Sequence, residues 1–349
     1  MKIHEKYILR CIQLAKNGLG TTFPNPMVGS VIVHNQKIIG EGYTSPYGGP
    51  HAEVNAINSV KDQSLLGEAT LYVSLEPCSH QGKTPPCANL IIKHKIPKVV
   101  IGVLDPHTKV AGKGVEKLKQ AGCEVLIGVL EKECREHHKR FLTFHSKLRP
   151  YIILKWAQTR DGFIAPQEEK RSQNPEPFWI SNARSQQLVH QWRAEEQAIM
   201  AGTQTVIKDN PRLNLRHWKG IDPVRIVLDR ELKIPSDFHV LDTSVKTIVI
   251  TSKLPKNPKK GIYYEELDFN GNLAQQVCTL LHKHQILSVI IEGGAKTLQS
   301  FIDANLWDEA RIFTGSSHFG TGLKSPSIQG RIVKSIPVLS DTLTIIEHD

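Results

Sequence analysis

The sequence predicts an α/β protein of two domains, each with helices layered on a largely parallel sheet. Three observations carry this. At 349 residues the chain exceeds what one hydrophobic core usually serves. Short apolar runs alternate with segments of helical periodicity, as in repeated strand–helix–strand units. One polar, proline-ended break, Ser146-Lys147-Leu148-Arg149-Pro150, interrupts the alternation and divides the chain into residues 1–147 and 148–349.

In the first part, Ile8, Cys11, Ile12 and Ala15 lie at helical spacing between His4 and Lys16, and Gly18 ends the pattern. Val28–His34 and Lys37–Tyr43 read as strands joined at Asn35-Gln36, a hairpin that makes the first sheet mixed. A helix starts near His51. Strand Ala69–Leu75 follows, and Pro85-Pro86 places Cys87 in the first turn of the next helix. Strand Lys98–Leu104, helix Gly114–Gln120, strand Cys123–Val129 and helix Glu131–Phe144 complete the unit.

The second part opens on strand Tyr151–Ala157. Gln167–Pro177 is charged and proline-rich, a candidate lid. Ser181 is read as the N-cap of a helix to about Glu195. Strands follow at Ala198–Ala201, Val224–Leu228, Lys246–Ile250 and Ser288–Ile291. Glu292-Gly293-Gly294 then forms a turn into a helix at Ala295-Lys296-Thr297-Leu298, where backbone can approach a phosphate near a helix N-terminus. A Gly-Gly turn between strand and helix is, taken alone, structural more often than not.

The chemistry concentrates between Pro50 and Cys87. His51, Cys78 and Cys87 supply one imidazole and two thiols, which leaves a fourth tetrahedral position open for water, as catalytic zinc requires. Glu53, two residues past the histidine, is the spare carboxylate that moves a proton from that water to departing ammonia. His51 and Glu53 would diverge by about 200° on a regular helix, so they share a site only at its first turn. The competing readings are two unrelated buried cysteines or a structural zinc site closed by His80, which leaves Glu53 without a job.

Net charge is +10, with +7 to Leu148 and +3 beyond it. The charge is dispersed, with no basic run interleaved with aromatics, so small phosphorylated ligands account for it as well as a nucleic acid does. No apolar run reaches the length of a membrane span, and the N-terminus has no cleavable apolar core. Six scattered cysteines (11, 78, 87, 123, 134, 278) do not make a disulfide framework, which fits a reducing cytoplasm.

Pro77-Cys78-Ser79-His80-Gln81-Gly82-Lys83-Thr84-Pro85-Pro86-Cys87 closely resembles the zinc loop of the bifunctional riboflavin-biosynthesis deaminase/reductase, and Pro24-Asn25-Pro26-Met27-Val28-Gly29 resembles that family's substrate loop. Lys155 to Gly162, Trp179-Ile180-Ser181, Trp192-Arg193, Val206 to Arg216 and Glu292-Gly293-Gly294 resemble its reductase half. The resemblance runs from about residue 4 to 315. It implies a cytidine-deaminase-like α/β/α sandwich with a mixed sheet, followed by a dihydrofolate-reductase-like α/β domain that uses NADPH. It implies one zinc on His51, Cys78 and Cys87, with Glu53 catalytic. Asn25, Lys83 and Asp105 match deaminase substrate positions. Ala157, Trp179, Thr205, Asp209 and Gly294 to Leu298 match NADPH positions; Arg193, Leu213, Arg216 and Glu292 match reductase substrate positions. The two arginines suit a ribose 5-phosphate.

The sequence departs from the family pattern at Pro177, which replaces a serine, at His107-Thr108, and at Thr44. The implied activity is zinc-dependent hydrolytic deamination of 2,5-diamino-6-(5-phosphoribosylamino)pyrimidin-4(3H)-one, then NADPH reduction of the ribosyl group to ribityl. The partner expected is that small phosphorylated pyrimidine, with neither nucleic acid nor membrane; homo-oligomerisation stays open. The alternative is a nucleic-acid deaminase with an accessory domain, which leaves Trp179 and the Glu292 turn unexplained. Arg230, at the end of strand Val224–Leu228, reads equally as a ligand for the NADPH 2′-phosphate or as a surface arginine beside Glu231.

Overall fold

The computed structural model describes residues 2–79, 85–106, 112–167 and 176–348, which form two compact units, Met1–Leu148 and Arg149–Asp349. The lid candidate at 167–177 falls largely outside the described residues.

In the first unit, α1 (Ile3–Ala15), β1 (Gly29–His34), β2 (Lys37–Tyr43), α2 (Ala52–Ser59), β3 (Thr70–Leu75), α3 (Cys87–Lys93), β4 (Lys98–Val103), α4 (Lys113–Gln120) and β5 (Glu124–Ile127) follow the predicted order. The sheet runs β2-β1-β3-β4-β5. β1 is antiparallel to β2 and β3, whereas β3, β4 and β5 are parallel, so the sheet is mixed as expected. Asn35 and Gln36 take φ of 47° and 61°, the left-handed pair that a two-residue hairpin turn requires.

Two boundaries differ from the sequence reading. The single helix expected over 131–144 is two, α5 (Glu131–His137) and α6 (Lys139–Ser146). His138 leaves helical geometry at ψ 10°, and its buried ring reaches Ser74 Oγ on β3 at 3.1 Å. A core hydrogen bond thus outweighs local helix propensity. In the second unit the cap of α7 (Ala183–Glu195) is Asn182, not Ser181: Asn182 Oδ1 accepts from the N–H groups of Arg184 and Ser185, both at 3.0 Å.

The second unit begins with β6 (Tyr151–Gln158) and β7 (Phe163–Pro166). After α7 come β8 (Ala198–Gly202), α8 (Thr203–Asp209), β9 (Val224–Leu228), β10 (Thr247–Thr251) and β11 (Ile262–Glu266). Then follow α9 (Leu273–Lys283), β12 (Ser288–Gly293), α10 (Ala295–Asp303), β13 (Glu309–Thr314), β14 (Gly322–Lys324), β15 (Arg331–Val338) and β16 (Asp341–Glu347). The main sheet has the order β11-β10-β9-β8-β12-β6-β13-β16-β15, parallel from β11 to β13 and antiparallel at β16 and β15.

β6 alternates: Ile152, Leu154 and Trp156 pack with Val277, Leu281, Leu298 and Phe301 of α9 and α10, whereas Tyr151 and Ile153 pack with Val189 and Trp192 of α7. Helices therefore cover both faces. β8 leads outward to β9, β10 and β11, but its neighbour β12 leads past β6 to β13. The chain diverges between the C-terminal ends of β8 and β12, where open α/β sheets form their ligand crevices.

The sequence reading has no strand at β7, β11, β13, β14, β15 or β16. β13 carries Glu309 and Arg311, a buried pair at 2.6 Å that erases the apolar signature of a core strand. β15 is an edge strand exposed along most of its length, with no buried face to leave a pattern.

Candidate active sites

In the first unit the N-terminus of α2, the C-terminal end of β3 and the N-terminus of α3 converge. His51 caps α2 in an extended conformation (φ −75°, ψ 167°), which lets its ring turn towards the loop after β3. Cys78 lies in that loop, and Cys87 opens α3 behind Pro86. The Nδ1 of His51 stands 3.6 Å from Cys78 Sγ and 3.4 Å from Cys87 Sγ, and the three ligand atoms lie within 4.8 Å of one another. Tetrahedral zinc, with bonds of about 2.3 Å to sulfur and about 2.0 Å to nitrogen, sets nitrogen–sulfur separations of about 3.5 Å. The donor set therefore fits the metal in both chemistry and spacing.

Electrostatics favour metal binding as well. Cys87 hydrogen-bonds Cys78 through its thiol and donates its backbone N–H to Cys78 Sγ at 3.3 Å; these contacts, with His51, push the Cys78 thiol well down against the opposing effect of burial. The same thiol pairing and burial push Cys87 up. Cys78 raises the His51 imidazole. Glu53 is buried in the first turn of α2, and burial, then the Cys78 charge, lifts its carboxyl to about 7.

The loop bearing Asn25 reaches the same end of the sheet, because Ser30 pairs with Val73 and places the start of β1 beside the end of β3. Thr44 Oγ1 accepts the Val28 N–H at 3.1 Å, so this departure from the family pattern serves the backbone of that loop. Asp105 is buried, and its N–H is held by Glu76. Lys83, His80, His107 and Thr108 lie outside the described residues.

In the second unit a pocket of about 490 Å³ opens at the β8/β12 divergence. Its lining includes Lys155 of β6, Arg193 of α7, Thr205 and Asp209 of α8, Arg216 and Glu292. Arg193 donates from Nε and Nη2 to the two Glu292 carboxylate oxygens at 2.9 and 2.7 Å, and from Nη1 to the Asn214 carbonyl at 3.2 Å. Lys155 Nζ lies 4.0 Å from Glu292. Burial alone would raise Glu292, but Arg193 and Lys155 outweigh it and hold the carboxyl at about 2. Burial lowers Lys155, with Glu292 opposing.

The glycine turn borders this region. Gly294 N–H donates to Thr205 Oγ1 at 2.8 Å, and a Cβ on Gly202 would come within 2.6 Å of Thr297 Oγ1. A side chain at position 202 would displace Thr297, so glycine lets that residue of α10 lie close against the end of β8. The Gly293-Gly294 turn thus lies against Thr205, which itself lines the pocket.

Two family models match. The RibD C-terminal domain covers residues 150–344, and the cytidine and deoxycytidylate deaminase zinc-binding region covers residues 1–103. The riboflavin biosynthesis protein RibD of Aquifex aeolicus is 41% identical over 328 residues, 92% of this chain and 89% of that protein. The chain belongs to the RibD family.

The RibD protein of Escherichia coli is 32% identical over 91% of this chain and 89% of its own length. Among solved structures, a diaminohydroxyphosphoribosylaminopyrimidine deaminase/5-amino-6-(5-phosphoribosylamino)uracil reductase from Thermotoga maritima superposes with a TM-score of 0.88 at 37% identity, covering 99% of both chains. Acinetobacter baumannii RibD gives 0.88 at 32% identity, covering 99% of this chain and 98% of that one.

Within this RibD chain the structure gathers His51, Cys78 and Cys87 into one group, with Glu53 in the turn behind it. It gathers Trp179, Thr205, Asp209, Arg193, Leu213, Arg216 and Glu292 into one pocket. Ala157 instead packs against the α7 side of the core, and the Leu298 side chain is fully buried, leaving only backbone for a ligand. Arg193 and Glu292, matched separately to substrate, hold each other. Arg230 is bonded to Asn270 Oδ1 at 3.2 Å on the exposed side, and Glu231 pairs with Lys233.

Sequence reasoning missed two residues. Glu76 is buried, and its carboxylate accepts N–H groups from Asp105, Gly112, Gly114 and Val115, a cradle directly before Pro77-Cys78. Its signal was a charge ending an otherwise apolar strand. His190 lines the reductase pocket three residues before Arg193, on the same helical face.

Proposed function

We infer that this RibD chain is a bifunctional enzyme whose residues 1–147 deaminate 2,5-diamino-6-(5-phosphoribosylamino)pyrimidin-4(3H)-one and whose residues 148–349 reduce the ribosyl group of the product to ribityl. The observation that carries the reading is the pairing, on one chain, of a His/Cys/Cys group backed by a buried carboxylate with a cation-rich pocket at a sheet divergence.

In the deaminase, His51, Cys78 and Cys87 hold zinc, which when bound lowers the pKa of a coordinated water towards neutrality. Glu53 holds a proton taken from water and delivers it to the leaving amine; burial, which lifts its carboxyl, makes it able to carry that proton near pH 7. Asn25, Lys83 and Asp105 contact the pyrimidine ribotide.

In the reductase, NADPH supplies a hydride for ribose C1′ when bound. Trp179, Thr205, Asp209 and the 294–298 backbone bind that cofactor. Arg216 binds the ribose phosphate together with the guanidinium hydrogens of Arg193 that Glu292 leaves over, and Glu292 fixes the direction of Arg193. Lys155 stands as a donor beside Glu292. Among the described residues no helix is long and apolar enough to cross a membrane.

The test is to supply the diaminopyrimidine ribotide to zinc-loaded protein, measure ammonia release, then add NADPH and follow its oxidation. Both signals are expected in that order. Ammonia release from a tRNA or DNA substrate instead, with no NADPH oxidation, would overturn the reading.

A further inference from the structure

α7 presents Gln186, Val189, His190 and Arg193 to the reductase pocket, a stripe at i, i+3, i+4 and i+7. Arg193 is tied to Glu292 and Gln186 to the Ser181 carbonyl, and His190 is the polar side chain of this stripe with no part yet in binding. His190 is only 4% exposed, although it borders open pocket volume.

Its protonation follows from geometry. The backbone N–H of Arg216 donates to His190 Nδ1 at 3.3 Å. An Nδ1 that accepts carries no proton, so the imidazole is neutral and its hydrogen sits on Nε2. The ring is braced edge-on by His217, with centroids 4.9 Å apart and planes at 88°.

The charges facing it explain why neutrality is useful. Arg193 comes from α7, Arg216 and His217 from the loop between α8 and β9, and Glu292 from β12, and Arg212, Lys155 and Asp209 also line the pocket. Four cations against two carboxylates, Glu292 and Asp209, leave the pocket positive by two and suited to a dianion. Burial, then Arg193, Arg216 and His217, pushes the His190 imidazole down to about 3. A further cation would be repelled there, whereas a neutral N–H adds a donor at no electrostatic cost.

We propose that His190 is a substrate-binding residue that donates its Nε2–H to the phosphate of the ribotide, beside Arg216, while its Nδ1 anchors the loop carrying that arginine. The assignment rests on the reductase reading above. It also ties loop order to phosphate recognition, because one ring joins the Arg216 backbone to the ligand.

Two substitutions separate the ring's two jobs. His190→Asn places an acceptor near Nδ1 and removes the distal donor; His190→Gln places a donor near Nε2 and removes the proximal acceptor. With the full chain and the deaminated ribotide, His190→Asn should raise KM about 10- to 100-fold, the range of one hydrogen bond to a charged group, with kcat within about twofold. The same variant should act like wild type on the dephosphorylated riboside, and its KM for NADPH and its ammonia release should not change. Competitive inhibition by inorganic phosphate should weaken in parallel, and His190→Gln should recover part of the ribotide KM.

Equal losses on ribotide and riboside would overturn the proposal, as would a fall in kcat alone or an unchanged ribotide KM. A rise in the NADPH KM in place of the ribotide KM would assign the donor to the cofactor's phosphate and overturn it too. Failure of the wild-type chain to oxidise NADPH with the ribotide would instead remove the reductase reading itself.

Discussion

Replacing Glu76 with glutamine tests how the metal loop is held. The Glu76 carboxylate accepts four backbone N–H groups: Asp105 (3.2 Å) and Gly112 (3.1 Å) on Oε2, and Gly114 (3.0 Å) and Val115 (3.3 Å) on Oε1. Glutamine is isosteric but presents an NH₂ to one of these pairs, so donors face donors. Two buried N–H groups lose their acceptor, at about 1–3 kcal/mol each. Partial rotation of the loop reduces the total, which sets the expected loss at about 3 kcal/mol. For a unit of this size that is roughly 6–12 °C in melting temperature.

Pro77 and Cys78 follow Glu76 directly, so the metal group should loosen with the cradle. The assay follows zinc release and melting of the full chain on one temperature ramp, with ammonia release and NADPH oxidation measured at 25 °C. Glu76→Gln should release zinc at lower temperature and deaminate more slowly while oxidising NADPH normally on the ready-made deaminated substrate. A zinc-release midpoint within about 2 °C of wild type, with normal deamination, would refute the reasoning.

Glu53→Gln should retain about one zinc per chain while ammonia release falls by roughly 10²–10⁴, the usual share of a positioned acid–base group; metal analysis and an ammonia assay check it. Glu292→Gln should destabilise the second unit by about 3–5 kcal/mol, since it leaves Arg193 buried without its countercharge, and should raise the ribotide KM. Because Glu292 is depressed to about 2, its contribution is fully present above its ordinary pKa and is lost as pH falls from there through about 2, so urea midpoints of wild type against Glu292→Gln should converge in acid. Burial pushes His138 well below its ordinary value, so below about pH 6.5 the unfolded chain binds a proton the folded one does not; stability should fall with pH by about 1.4 kcal/mol per unit from this group, and the slope should flatten in His138→Gln.

The sequence by itself determined whatever depends on local order. The hairpin at Asn35-Gln36 needed only a left-handed pair between apolar alternations, and α3 needed only Pro85-Pro86 ahead of Cys87. The zinc group was legible because its three donors occur in short motifs, and because strand ends and helix starts leave few places for their side chains to go. The His51–Glu53 spacing even required the helix's first turn, where the structure has it.

The tertiary structure alone decided which distant groups cancel one another. Arg193 and Glu292 are 99 residues apart and form one ion pair, so a list of separate substrate contacts became a preorganised unit. Glu309 and Arg311, neighbours on one face of β13, hid that strand from the hydrophobic pattern, and it is the fold that brings Glu196 to within 3.7 Å of the same buried Arg311. Glu76 binds backbone amides 29 to 39 residues downstream, and His138 breaks a helix to reach a serine 64 residues away. Periodicity records which face of an element meets the core; it holds no record of which polar atom across the core answers another.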